Sequence, residues 1–484
     1  MGGTFQAMRQ MASSVLTAET APRPGSDSGR PGSRRSTALT VLVALLAALG
    51  IYAARHVLPP STAVTMAVLA LGAAAVLWRP QLALSAMMVG TEFADASLRG
   101  ARLRDLVGLV LVFAVLCMAG VILRAACGLK SWRRVATPLD WPVAMITCYG
   151  VVSVLLGLLR GYEPRLVAFS AWHVLQWPVY YLVVTLAINT PKRLLVNVVF
   201  VSLLGLITLP YWLLSPLEGG GGLSRFAAPL LALLYVRRLS VPRWCLALAF
   251  GICVLDALQS SFRTLWVGTA ISALWVLVLA LRRNRSSRVV LATFVGGVTV
   301  VIGMALVFTV LRESSVGAGM HEALERSGGY RLAEARYGVQ AFLEAPVFGK
   351  GFGYQNRQAW IAGLNQYGAG PTYHLFHLII LSAQGLVGMG LVLWMFGVCL
   401  FGPDARWVRR RFADNPWAAV SFGLQGAVVG ALVSAAFSGP RLSHFEWIVL
   451  PALCLLSAGW ARRELEGKLP PAPASKGAGT SDSG

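Results

Sequence analysis

The sequence predicts an all-α polytopic integral membrane protein with about 14 transmembrane helices (roughly 12–14) and one long outer or periplasmic loop. Three observations predict it. Apolar residues make up 56% of the 484-residue chain and charged residues only 13%. Mean hydropathy is +0.65, far from that of a soluble domain. The apolar residues fall into runs long enough to cross a bilayer, and the basic residues fall into the short connections between them.

The candidate spans lie at roughly 37–54, 61–78, 81–93, 105–123, 139–158, 165–187 and 194–214 in the first half. The second half adds roughly 225–237, 242–258, 264–281, 289–310, 374–400, 416–438 and 445–461. The runs at 81–93 and 225–237 are short and need a thin or protein-lined path. Residues 1–36, rich in Ser, Gly, Pro and Arg, read as a disordered cytoplasmic tail without the apolar core of a cleavable signal. The end, residues 462–484, reads as a second such tail, linker-like from about Leu469. Between them, 37–461 forms the transmembrane helical domain.

Basic clusters set the topology. Arg34 with Arg35, Arg79, Arg124 to Arg134, Lys192 with Arg193, Arg237 to Arg243, Arg282 to Arg288, Arg406 to Arg411 and Arg462 with Arg463 occupy alternate connections. The positive-inside rule makes these cytoplasmic, so 312–373 faces the periplasm or exterior. This placement accounts for the formal charge of +22 without nucleic acid, which is not an expected partner. The seven cysteines lie in or beside apolar runs and offer no disulfide framework or zinc spacing. No DxD pattern is present, so neither a metal nor a cofactor is expected.

Several ionisable residues stand on the outer side, where the topology rule gives no reason for them. They are Arg160, Arg165, Arg225 after a run of four glycines, Arg263 in SSFRT, Arg331 and Arg336 in the long loop, and Arg441. Guanidiniums near hydrocarbon either snorkel to headgroups or line a wetted cavity, where several together would bind a diphosphate through their planar forks. His374 begins the span after the loop and His377 follows one turn later on the same face. An imidazole there suits a general base near neutrality, or simply caps a helix end. The stretch PVFGKGFG places Gly349, Gly351 and Gly353 after Pro346, a tight turn whose backbone could approach a phosphate or sugar. Its spacing is not that of a Walker A loop.

Taken in order, these residues resemble the bacterial O-antigen ligase and O-antigen polymerase family of polytopic membrane proteins. The matching positions are Arg225 in SRFAAP, Arg263 in SSFRT, Arg331 or Arg336, the Pro346 to Gly353 turn, His374, and Gly385 with Gly388 in QGLVG. They fall within 220–400, and the spacing from His374 to Gly385 is the family's. Leu375 stands where the family has Asn, Ala383 replaces an acidic residue, and Phe262 interrupts the Ser-Arg pair.

The resemblance implies a glycosyltransferase of the inner membrane whose donor is an undecaprenyl-diphosphate-linked glycan in the outer leaflet. The acceptor is a second lipid-linked glycan for a polysaccharide polymerase, the leading expectation, or the lipid A core for a ligase. His374 would be the catalytic base, with His377 as substitute, while Arg225, Arg263, Arg331 and Arg336 would hold the diphosphate. A chain-length regulator, a flippase and membrane lipids are the further partners it implies. A flippase or other transporter is the alternative from another class, and predicts charges spread through the spans rather than gathered on one face.

Overall fold

The computed structural model describes residues 70, 72–87, 103–127, 134–194, 197, 223–236, 242–259, 263–283, 335–354, 376–435 and 445–467. Among them every regular element is helical. The expected spans at 37–54 and 289–310, most of that at 194–214, the tail 1–36, most of the tail 462–484, His374 and Arg331 lie outside the described residues. Four stretches of the described residues are long and apolar enough to cross a membrane: Gly108–Ala126, Asp140–Leu159, His377–Arg411 and Pro416–Ala435. Shorter apolar helices cover Ser224–Leu234, Arg243–Val254 and Trp266–Ala280.

The chain divides into two compact units, residues 1–135 with 182–214, and residues 136–181 with 215–484. In the first, helix α1 (Leu103–Ala126) packs on the turn at Pro80–Leu82. A Cβ on Gly120 would lie 2.8 Å from the Leu77 carbonyl and from Pro80, so glycine is what lets the helix meet the turn. Arg124 donates to the Trp78 carbonyl at 3.1 Å, anchoring the basic end of α1. Much of the remaining α1 surface, including Val112, Val115 and Ile122, is exposed and apolar, as a lipid-facing helix requires.

The second unit contains α2 (Asp140–Leu159), most of α3 (Pro164–Ala187), a 3-10 turn at Leu223–Phe226, α4 (Ala227–Leu234), α5 (Arg243–Gln259) and α6 (Arg263–Arg283). It continues with α7 (335–344), α8 (Phe376–Phe401), α9 (Pro403–Arg411), α10 (Pro416–Ala435) and α11 (Leu450–Leu465). Residues 335–344, inside the segment read from sequence as an outer loop, are therefore helical.

Helix α10 is the axis of this unit, and its start is written locally. Asn415 accepts the amides of Trp417 at 2.8 Å and Ala418 at 3.1 Å, and Pro416 follows as the first helical residue, where no amide is needed. Along α10, Gly426, Gly430 and Ser434 repeat every four residues and face Gly268 and Ser272 of α6. A Cβ on Gly430 would sit 2.2 Å from the Gly268 carbonyl, so the two backbones touch, the usual means of helix association in lipid. The pairing of 268 with 430 and 272 with 426 makes the helices antiparallel.

Toward the start of α10, Phe412 stacks on Phe422 with centroids 4.5 Å apart, in a core with Val276, Ala280, Val408, Leu231 of α4 and Tyr235 just after it. This end carries the arginines of α9 (Arg406, Arg409, Arg410, Arg411) and of the last turns of α6 and α11. Arg462 pairs with Asp404, and Asn415 donates to Glu464 at 3.0 Å, tying α11 to the same end. The opposite end of the bundle is formed by the start of α6, the start of α8 and the end of α10.

Candidate active-site end of the bundle

The apolar run that begins α8 is not one continuous helix. Gly385 has φ 63° and ψ −158°, which breaks it into 376–384 and 386–401. In an unbroken helix the amides of Leu386 and Val387 would pair with the carbonyls of Ser382 and Ala383. Here Leu386 donates to the Pro346 carbonyl at 2.8 Å and Val387 to the Val347 carbonyl at 3.2 Å. The two carbonyls released at Ser382 and Ala383 accept the amides of Lys350 at 2.8 Å and Gly351 at 2.9 Å. The PVFGKGFG turn is thus a splint that completes the hydrogen bonding of a broken span, as non-helical backbone at membrane depth must.

The glycines are required by this stitching. Gly349, Gly351 and Gly353 all have positive φ, between 70° and 87°. A Cβ on Gly349 would fall 2.4 Å from the backbone of Ala383 and Gln384, and one on Gly385 would fall 2.4 Å from the Val347 carbonyl. Backbone meets backbone from both sides, so neither neighbour can yield.

Helix α2 holds the splint from its other side through residues four apart on one face. The Tyr149 hydroxyl lies 3.0 Å from both the Phe348 and the Gln384 carbonyls. The Ser153 carbonyl accepts the Phe352 amide at 3.1 Å, and its hydroxyl lies 3.4 Å from the Ala383 carbonyl. Gly157 leaves room for the Phe352 carbonyl, which a Cβ there would meet at 2.1 Å. At the helix end Arg160 donates to the Gly349 carbonyl at 3.3 Å. Of these α2 residues only Arg160 stood out in the sequence, although the Tyr-x3-Ser-x3-Gly spacing was readable as one helical face.

At the rim, Lys350 pairs with Glu344 on α7, and its ammonium lies 4.3 Å from the centre of the Tyr354 ring, which in turn neighbours Tyr162 at 6.1 Å. Burial lowers the proton affinity of Lys350, but its hydrogen bonds to Glu344 and Tyr354 outweigh burial and hold it above the usual lysine range.

The expected site residues distribute as follows. Gly349, Gly351 and Gly353 form the splint. His377 lies half-buried in the first turn of α8, beside the backbone of Ala435 at the end of α10. Arg263 is the first residue of α6, whose Gly268 touches Gly430 and Ser434 near that same end of α10. The starts of α6 and α8 therefore both lie at the end of α10. Arg225, half-buried, stands in the 3-10 turn before α4 and is packed among α5, α6 and α10. Pro229, one turn on, abuts Gly423, and α4 then runs toward Phe412, so Arg225 lies on the side of α4 away from the arginine-rich end. Arg336 is exposed on α7, whose Gly338 is in contact with Leu378 of α8.

From Leu246 in α5 to Met395 in α8, the chain matches the family model described as O-antigen ligase. Residues 246–395 belong to the O-antigen ligase family. No curated protein and no solved structure matches the chain. The O-antigen ligase region holds Arg263, the α7 helix, the glycine splint and most of the broken α8. Arg225 precedes the region, and the α2 face that clamps the splint lies well upstream of it. Enzymes of this family transfer glycans, and the apolar helices make the chain an integral membrane protein.

Proposed function

We propose that the protein moves a glycan from undecaprenyl diphosphate to the hydroxyl of a second lipid-linked glycan at the outer face of the inner membrane, as a polysaccharide polymerase. The observation that carries this reading is that the starts of α6 and α8, both within the O-antigen ligase region, lie at the end of the bundle opposite its arginine-rich termini. Arginines at the other end favour a cytoplasmic side there, which supports an outward site.

In this reading His374, three residues before His377, takes the proton of the acceptor hydroxyl as its oxygen attacks the anomeric carbon. The new glycosidic bond forms as the bond to the diphosphate breaks, and the electron pair leaves with the diphosphate. Arg225, Arg263, Arg331 and Arg336 are the groups we assign to that developing charge, with guanidinium forks matched to phosphate oxygens. Inversion at the anomeric carbon follows from a single displacement. A flippase and a chain-length regulator are the partners such a polymerase needs.

The description of the matched family favours a second reading, a ligase with the lipid A core as acceptor. Both use the same donor. Gel and mass analysis of carrier-linked glycans in a deletion strain separates them: single repeats on the carrier or on the core support the polymerase, and long polymer on the carrier with bare core supports the ligase. Repeats stranded on the cytoplasmic side would reject both.

A further inference from the structure

We infer that Tyr149 is a positioning residue for this transfer, its hydroxyl locking the half-helix 376–384 to the glycine splint; the inference rests on the proposed reaction. The half-helix needs such a lock. Nine residues do not hold a helix or its direction alone, since isolated helices below about 12–15 residues are marginal. Gly385 removes the continuity that would otherwise fix it to 386–401. Leu378, Ile379, Ile380 and Ala383 bury its sides, Leu378 against Gly338, while the backbone at its end is held by the splint.

Tyr149 stands where the splint and the half-helix end meet. Its hydroxyl is 3.0 Å from the Phe348 carbonyl on one and 3.0 Å from the Gln384 carbonyl on the other. The flank is apolar and open: Phe348 is 62% exposed and Leu386 55% exposed. Hydrocarbon supplies no donor to a carbonyl there, so a phenol reaching across from α2 supplies a proton that lipid cannot. Ser153 and Gly157, on the same face of α2, hold the neighbouring part of the splint but leave this junction to Tyr149. The half-helix begins two residues after His374, the base of the proposed reaction, so its direction bears on that base. Displacing a reacting group by about 1 Å costs on the order of 100-fold in rate.

The test uses the full chain in lipid nanodiscs with lipid-linked repeats extracted from a deletion strain. Tyr149→Phe, which keeps the ring, is expected to lower kcat by about tenfold or more with KM for the donor unchanged. Amide exchange at Lys350, Gly351, Leu386 and Val387 is expected to quicken by about tenfold. Ser153→Ala, which removes only the longer contact, should shift both in the same direction by less. Unchanged exchange, or a rise in KM alone, overturns the assignment. Wild-type protein that transfers nothing overturns the functional reading instead, and the exchange measurement then still decides whether Tyr149 holds the half-helix.

Discussion

The amide of Leu386 donates to Pro346, forty residues earlier, and not to Ser382 one turn away. With the Val387 bond to Val347 and the returns from Lys350 and Gly351, two helical hydrogen bonds are replaced by four across the splint. An unpaired backbone group in hydrocarbon costs several kcal/mol, so the break is tolerable only while the splint is seated.

Alanine at Gly349 or Gly385 should unseat it. Each combines a left-handed backbone, unfavourable for alanine by about 1–2 kcal/mol, with a Cβ driven into backbone, about 1–3 kcal/mol more. Thermal unfolding in detergent is expected to fall by several degrees for either variant. Gly390 and Gly397, where a Cβ meets nothing within 4 Å, are the controls and should tolerate alanine. Equal midpoints for all four variants would show that the splint contributes nothing.

Glycan transfer should separate the two histidines. His374→Ala is expected to reduce turnover by about 10²–10⁴-fold with expression and insertion intact, as for loss of a general base. His377→Ala should act mainly on stability, because its half-buried ring sits beside the Ala435 backbone. Arg263→Lys should impair transfer strongly, since an ammonium lacks the bidentate fork. Polymer formed at a normal rate by purified His374→Ala protein would remove the base assignment.

The rim ion pair sets a pH expectation. Lys350 has a raised proton affinity in the folded chain, so its contribution is complete below the ordinary lysine value of 10.5 and fades only as pH climbs through the raised value. Loss of this ammonium therefore cannot shape activity between pH 6 and 9. Lys350→Met should leave the shape of the pH profile over that range unchanged, as measured by initial transfer rates, and an altered midpoint there would refute the argument.

The sequence carried the helical class and the place of Arg263 and His377 at helix starts because both rest on local signals, apolar runs and the polar residues at their ends. It read Gly349, Gly351 and Gly353 as a tight turn able to approach a phosphate or sugar, and Gly385 only as part of a resemblance, without the bonds between them. Their role is a pairing between segments forty residues apart, which leaves no local trace beyond the glycines. Tyr149 was invisible for a related reason: on α2 it reads as one more aromatic in an apolar run, and only the carbonyls that it meets distinguish it. The clean run from 374 to 400 also hid the break, since the apolar pattern of a span is indifferent to one left-handed residue.

The splint also has a history within each newly made chain. Its four bonds join residues 32 to 40 positions apart, so the pairing is complete only once Val387 has been synthesised, after the turn at 346–351 and long after α2. Until then the Pro346 and Val347 carbonyls lack the partners they hold in the folded chain.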